Sequence, residues 1–326
     1  MRMIWQLPFS GKSNNRRRLF DLPGIYIIKG ENVLRRKKMG FWRHFIFLGP
    51  ASIAFAIAVM VPFLISIVYS FTDWNGVANE IKFVGFKNFI DIFTGKADFL
   101  DAFWFTAKLA IVTVLLVNVI GTLLAVALTS AIKFKGLFRV SFYLPNTIGG
   151  LVLGFIWQFI FINGFPALGD KLHLAFMKLP WLGTETTAFI AIVIVTVWQS
   201  VGYIMIIMTA ALTGVPMEMI ESAKIDGANA FQRFFKVRLP MCISYITVCL
   251  FWTISGSFKT FDLVYSLTKG GPYASTNTLA MRIYNDAFAN NKYGLATAES
   301  LIFFIIIMVI TGVQMYFSTK KEKELL

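Results

Sequence analysis

Residues 213–240 read Thr213-Gly214-Val215-Pro216-Met217-Glu218-Met219-Ile220-Glu221-Ser222-Ala223-Lys224-Ile225-Asp226-Gly227-Ala228-Asn229-Ala230-Phe231-Gln232-Arg233-Phe234-Phe235-Lys236-Val237-Arg238-Leu239-Pro240. This polar stretch separates two long apolar runs, and its local signals are explicit. The fixed φ of Pro216 suits the first turn of a helix. Glu218 sits beside that helix's positive end. Gly227 suits the left-handed position that closes it. Asn229, with Gln232 three residues on, has the spacing of a capping box. Pro240 opens the next apolar run. The stretch therefore reads as two short helices joined by a glycine turn. Phe231, Phe234 and Phe235 share one face of the second helix, with Gln232, Arg233 and Lys236 elsewhere. Such a unit is either a plain surface hairpin or a knob that docks into a groove on a partner.

The runs on either side set the class of protein. Apolar residues make up 57% of the 326-residue chain and charged residues only 15%. Soluble domains carry about 25% charged residues. The balance excludes a disordered chain, a collagen-like chain and an ordinary cytosolic enzyme. Six apolar stretches are long enough to cross a hydrocarbon core of about 30 Å. They fall at about 45–71, 105–132, 140–162, 188–212, 241–267 and 297–317. The expectation is an all-α polytopic membrane protein with six transmembrane helices. A basic segment (1–44) precedes the membrane domain (45–317), and a short tail (318–326) follows it. Pro50 and Pro62 lie inside the first span, where a kink is tolerated. That span is too long and starts too late for a cleavable signal peptide.

Charge placement gives the orientation. The two end segments, with the loops after spans two and four, hold 21 Lys and Arg; the other three loops hold eight. This asymmetry puts both termini, and residues 213–240, in the cytoplasm. It also accounts for the net charge of +14 without nucleic acid. Gly11-Lys12-Ser13 looks like the end of a phosphate-binding loop, but position 6 is Gln6 rather than glycine and no strand precedes it. The runs Arg16–Arg18 and Arg35–Lys38 suit either a solvated tail or anionic lipid headgroups.

Chemistry-bearing clusters are sparse. Cys242 and Cys249 lie seven residues apart in one apolar run, about 10 Å along a helix and too far for a disulfide. His44 and His173 fall in different segments, and no metal site follows. No nucleophile with a base is visible, so no catalytic residue is assigned. An ion-coupled secondary transporter is the main rival to an energised permease. Such carriers use ionisable residues inside spans and repeated halves. Here mid-span ionisable residues are nearly absent.

Polar side chains inside spans cost free energy unless they face protein or a cavity. Thr253, Gly256, Ser257 and Thr260 recur on one face of span five. Gln199, Ser200 and Tyr203 cluster in span four. Both groups suit either a transport pathway or helix packing through small and hydroxyl residues. Trp252 neighbours the stripe. Lys259 and Asp262 suit an i,i+3 pair or contact with an acidic substrate. Asn118 suits a hydrogen bond to a neighbouring helix, and Gly150 with Gly154 suits close packing.

Glu221-Ser222-Ala223, with Gly227 four residues beyond and Leu239-Pro240 closing the stretch, resembles the EAA loop of ABC importer permeases. Ser222 stands where alanine is usual. Ala223-Lys224-Ile225-Asp226-Gly227-Ala228 is similar to the sugar-importer branch, of the maltose and oligosaccharide permease type. So are Thr268-Lys269-Gly270-Gly271-Pro272 behind Phe261-Asp262, and Phe83-Val84-Gly85-Phe86-Lys87-Asn88-Phe89. Leu144-Pro145, Trp157 and Tyr293-Gly294 are similar too, and the likeness covers about residues 41–317.

The resemblance implies the ABC importer permease fold in a bacterial-type cell membrane. It implies a second permease subunit, usually a different chain, and two cytoplasmic ATPase subunits that bind ATP and Mg²⁺. No cofactor is expected on this chain, which has no phosphate-binding loop. An extracytoplasmic solute-binding protein would hand over a sugar or oligosaccharide. By the same likeness Glu221, Ser222, Ala223, Asp226, Gly227, Leu239 and Pro240 form the ATPase-coupling loop. Gln199, Ser200, Tyr203, Thr253, Gly256, Ser257 and Thr260 would line the substrate pathway, as the equivalent positions do in the maltose permease.

Overall fold

The computed structural model describes residues 41–94, 98–130 and 132–325. Among them it is helical, with a lone antiparallel bridge between Thr72 and Phe83 and no strand. Most of the expected amino-terminal basic segment lies outside the described residues. The helices are α1 (Ile46–Tyr69), α2 (Lys87–Phe93), α3 (Phe99–Thr129), α4 (Lys135–Tyr143), α5 (Gly150–Leu172) and α6 (Glu185–Thr213). After them come α7 (Met217–Ile225), α8 (Ala230–Met241), α9 (Ile243–Phe258), α10 (Asp262–Leu267), α11 (Leu279–Tyr284) and α12 (Tyr293–Leu325). Among the described residues five helices, α1, α3, α5, α6 and α12, are long and apolar enough to cross a membrane; α8 with α9, bent by 74° at Cys242, adds a sixth when the pair is counted as one broken span.

The chain packs as two units that divide between Leu64 and Ile65. The first holds the greater part of α1, whose described residues in that unit are exposed apart from Gly49 and Phe63. The second holds everything from Ile65 onward. Its core lies where α3 packs along α6, with α9 and α5 closing over them. Lipid tails are as apolar as leucine, so close packing and interhelical hydrogen bonds hold such a bundle. Glycines make the closest approaches. A Cβ on Gly202 of α6 would lie 2.0 Å from the carbonyl oxygen of Phe142 in α4, and one on Gly154 of α5 would overlap the Ser266 hydroxyl of α10.

Three helix prolines share one mark; Pro50 in α1 lacks it, and one further widened turn, Asn285–Ala289, precedes no proline. Three widened turns, Ala56–Met60, Ile160–Gly164 and Phe234–Arg238, each end two residues before a proline: Pro62, Pro166 and Pro240. In each, the residue just before the proline donates its N–H to a carbonyl five residues back: Val61 to Ala56, Phe165 to Ile160 and Leu239 to Phe234. A proline ring crowds the carbonyl four residues behind it and offers no N–H. Widening the preceding turn moves that carbonyl aside, so the helix continues instead of stopping.

Two expected spans are interrupted. The third divides at a tight turn over Leu144–Thr147, around the buried Pro145, before α5 begins. The fifth ends at Phe258, and residues 262–267 form the separate α10. Side chains occupy carbonyls freed at both breaks. Gln199 Nε2 donates to the Ile148 carbonyl at 3.1 Å, and the Thr278 hydroxyl donates to the Thr260 carbonyl at 2.9 Å. The breaks adjoin, since a Cβ on Gly150 would lie 3.0 Å from Asp262 Cβ. Irregular backbone at membrane depth survives only when buried in protein or lining a cavity.

Candidate functional site

The 213–240 stretch folds as its residues dictate. Pro216, expected in the first turn, instead caps α7 one residue ahead of it, with φ −57° and an extended ψ of 131°. Glu218 stands in the first turn of α7 and Lys224 in its last, each complementing the helix dipole. The helix closes in a Schellman motif. The Ala228 N–H reaches the Ala223 carbonyl at 3.0 Å, the Gly227 N–H reaches Lys224 at 3.1 Å, and Gly227 has φ +80°. The spacing Ala223–Gly227–Ala228 is therefore a helix stop. Asn229 and Gln232 complete the capping box, with backbone-to-side-chain bonds of 2.8 and 2.9 Å.

The second helix is anchored and displayed at once. The Phe234 ring packs into the core beside Leu239 and Val215. Arg238 Nη2 donates to the Leu212 carbonyl at 3.4 Å, tying α8 to the end of α6. The Phe231 and Phe235 rings lie 4.3 Å apart, tilted by 43°, and Phe235 meets Phe234 edge-on at 5.0 Å. Phe231, Phe235, Met217, Met219 and Ile225 are exposed, Ile225 at 85%. Glu221, Ser222, Asp226 and Gly227 are exposed, Ala223 and Pro240 half-buried. Exposed apolar groups clustered on a folded hairpin are of the kind that marks interaction sites.

The second group of candidates converges inside the bundle. Gln199, Ser200, Thr253, Gly256, Ser257 and Thr260 line one cavity of about 90 Å³, together with Thr196 and Trp252. Tyr203 lies behind it, its ring stacked on Trp252 at 4.3 Å. Two of the expected pathway hydroxyls are also packing groups. Ser257 Oγ lies 3.0 Å from Thr113 Oγ1, and Thr253 Oγ1 accepts from Asn118 Nδ2 at 3.0 Å, so both tie α9 to α3. Asn118 thus makes the interhelical bond expected of it. Gly256, Gln199, Ser200 and Thr260 are less enclosed, and a Cβ on Gly256 would meet nothing within 4 Å. A volume of about 90 Å³ holds about three waters, so a larger solute passes only when the lining helices part. Thr196 and Thr113 were missed in the sequence. Thr113 shows no signal beyond being one hydroxyl in an apolar run, whereas Thr196 lies three residues before Gln199 on the same face.

The outer motifs have structural work. Asn88 Nδ2 donates to the carbonyls of Ser70 at 2.9 Å and Thr72 at 2.8 Å. Gly294 donates its N–H to the Trp74 carbonyl at 2.8 Å, and a Cβ there would lie 2.0 Å from the Thr72 oxygen. In the Thr268–Pro272 element the Thr268 and Thr276 hydroxyls meet at 2.8 Å. Arg282 bridges Asp98 at 3.4 Å and the buried Asp286 at 2.7 Å, fixing the outer end of α3 to α11.

Residues 117–323 match the family model described as "Binding-protein-dependent transport system inner membrane component". The chain belongs to this family. The permease is 42% identical over 288 residues to the "Probable starch degradation products transport system permease protein AmyD" of Thermoanaerobacterium thermosulfurigenes, an alignment covering 88% of this chain and 97% of the relative. It is 37% identical to the "Multiple sugar-binding transport system permease protein MsmF" of Streptococcus mutans, over 78% of this chain and 87% of the relative. Its fold matches a chain in the "Crystal structure of a bacterial ABC transporter involved in the import of the acidic polysaccharide alginate", with TM-score 0.74, 20% identity, and coverage of 86% and 96% of the two chains. The permease is a multi-pass membrane transport subunit that works with a binding protein, and it is not an enzyme. The ion-coupled alternative finds no support in these likenesses.

Proposed function

We propose that this chain is the permease of an importer that takes a sugar or oligosaccharide from an extracytoplasmic binding protein. The observation that carries the reading is the paired geometry of an exposed hairpin at one end of α6 and a polar cavity along the same helix. Relatives named for starch degradation products and for multiple sugars support the substrate class. In this account two cytoplasmic ATPase subunits hold ATP and Mg²⁺, and their closure pushes on Glu221, Ser222, Ala223, Asp226 and Gly227. Leu239 and Pro240 carry that motion through α8 to α9. Gln199, Ser200, Gly256 and Thr260 meet the sugar as α6 and α9 separate. Thr253 and Ser257 exchange their bonds to α3 for bonds to it, and Tyr203 backs Trp252. The second permease is a different chain, which completes the other wall of the pathway.

The test is uptake in proteoliposomes that contain both permeases and the ATPase subunits, with binding protein outside and ATP inside. A panel of maltotriose, trehalose and diacetylchitobiose is expected to yield ATP-dependent accumulation of at least one sugar. Absence of uptake of every sugar, in a complex whose ATPase responds to its binding protein, would overturn the substrate class.

A further inference from the structure

A second cavity, of about 350 Å³, opens beyond the inner one on the extracytoplasmic side. Its lining includes the rings of Phe261, Tyr284, Phe288 and Tyr293 and is otherwise almost wholly apolar, with Thr297, whose hydroxyl donates to the Gly294 carbonyl at 2.9 Å, and Ser300 at its edge. The two cavities are lined by consecutive residues, Thr260 for the inner one and Phe261 for the outer. The rings form part of a longer series. Tyr69 lies 4.5 Å from Trp74, Trp74 lies 5.5 Å from Tyr293, and Tyr293 lies 5.5 Å from Phe288. Phe288 then lies 5.0 Å from Tyr284, and Tyr284 lies 5.0 Å from Phe261. Six rings thus run in succession from the end of α1 to Phe261, the residue after Thr260 of the inner cavity. Among the described residues, neither the Tyr284 nor the Tyr293 hydroxyl makes a hydrogen bond.

Taking the chain as a sugar permease, as above, we propose that this aromatic cavity is an outer vestibule that binds one sugar ring after release from the binding protein and before entry to the inner cavity. The chemistry matches. A pyranose has apolar C–H faces that lie on aromatic rings and a rim of hydroxyls that pair with Tyr and Ser hydroxyls. The volume is in the range of small-molecule sites, whereas the inner cavity is far below it. Phe288, 60% exposed, and Tyr284, 37% exposed, present free surface to such a ring. A series of rings at spacings of 4.5–5.5 Å lets a sugar exchange one stacking partner for the next. No step then leaves it fully hydrated in front of an apolar wall.

The experiment uses the reconstituted complex and whichever of maltotriose, trehalose and diacetylchitobiose the wild type takes up. Phe288→Leu and Tyr284→Leu keep apolar volume and remove the ring. Each is expected to lower uptake about three- to tenfold, the worth of one aromatic contact. ATPase activity stimulated by the binding protein is expected to stay within about twofold of wild type. Fewer sugars then cross per ATP, and Phe288→Trp restores the ratio. Leucine variants that transport like wild type would overturn the vestibule while leaving the sugar permease intact. Uptake and ATPase activity falling together would overturn it as well, since the rings would then be structural. A wild-type complex that takes up none of the three sugars would remove the sugar-permease reading, and the vestibule with it.

Discussion

Glycine at position 227 has φ +80°, and an added Cβ would meet nothing within 4 Å. Any loss on substitution therefore comes from the backbone and not from a clash. A left-handed residue with a β-carbon costs about 1–2 kcal/mol, and asparagine tolerates the conformation better than alanine or valine. Uptake is expected to fall in the order Gly, Asn, Ala, Val, with membrane levels unchanged and capture of the ATPase subunit weakening in step. Normal uptake by Gly227→Val would remove the docking role. Two other glycines make a contrasting pair. Gly202→Ala sets a methyl 2.0 Å from the backbone oxygen of Phe142, whereas Gly256→Ala places one in open space. The first is expected to lower the thermal unfolding temperature by several degrees. The second is expected to keep or raise it, since alanine gains about 0.8–1 kcal/mol in a helix, while uptake drops because the inner cavity narrows. Thermal unfolding and uptake measured on both variants would separate packing from passage.

At the scale of single elements, α9 serves both roles that its polar stripe allowed. Thr253 and Ser257 line the cavity but are hydrogen-bonded to α3, while Gly256 and, just beyond the helix, Thr260 line it with no side-chain bond to another helix. A double-mutant cycle on Thr113→Ala and Ser257→Ala is expected to return a coupling of about 0.6 kcal/mol, the usual worth of an interhelical bond in a membrane. Thr260→Ala, whose hydroxyl bonds only to the Gly256 carbonyl of α9, just before it in the chain, should leave stability unchanged and reduce uptake. Matching losses of stability and uptake at both positions would make the whole stripe structural. The sequence could not divide these roles, because a helical face at four-residue spacing does not reveal which neighbour it meets. The 213–240 hairpin was legible almost atom by atom, since Pro216, Gly227, Asn229 and Gln232 act on backbone within a few residues of themselves. The breaks at Leu144–Thr147 and Lys259–Phe261 were hidden. Apolar content ran on through both, and the groups that satisfy them, Gln199 and Thr278, are distant in sequence. The proline-widened turns were half visible: a kink was expected at both Pro50 and Pro62, but only Pro62 follows a widened turn, and nothing in the sequence marked Pro166 and Pro240 as shaping the turns before them.

At the scale of the whole chain, orientation rests on charge asymmetry and is open to a direct check. Cys242 and Cys249 are fully buried, so single cysteines can be added without removing them. Asn79→Cys and Asn290→Cys are expected to react with an impermeant thiol reagent in intact cells, and Ser222→Cys only after the membrane is opened. Reaction at position 222 from outside would invert the assignment. The central claim is that ATP-driven motion enters through the 213–240 hairpin and opens the cavity between α6 and α9. The measurement that tests it most directly is sugar uptake by reconstituted vesicles, wild type beside Gly227→Val, with ATP inside and no ion gradient. The account predicts uptake that requires both ATP and the binding protein and disappears in the Gly227→Val complex. Uptake that proceeds without ATP, or that survives in the variant at the wild-type rate, would contradict it.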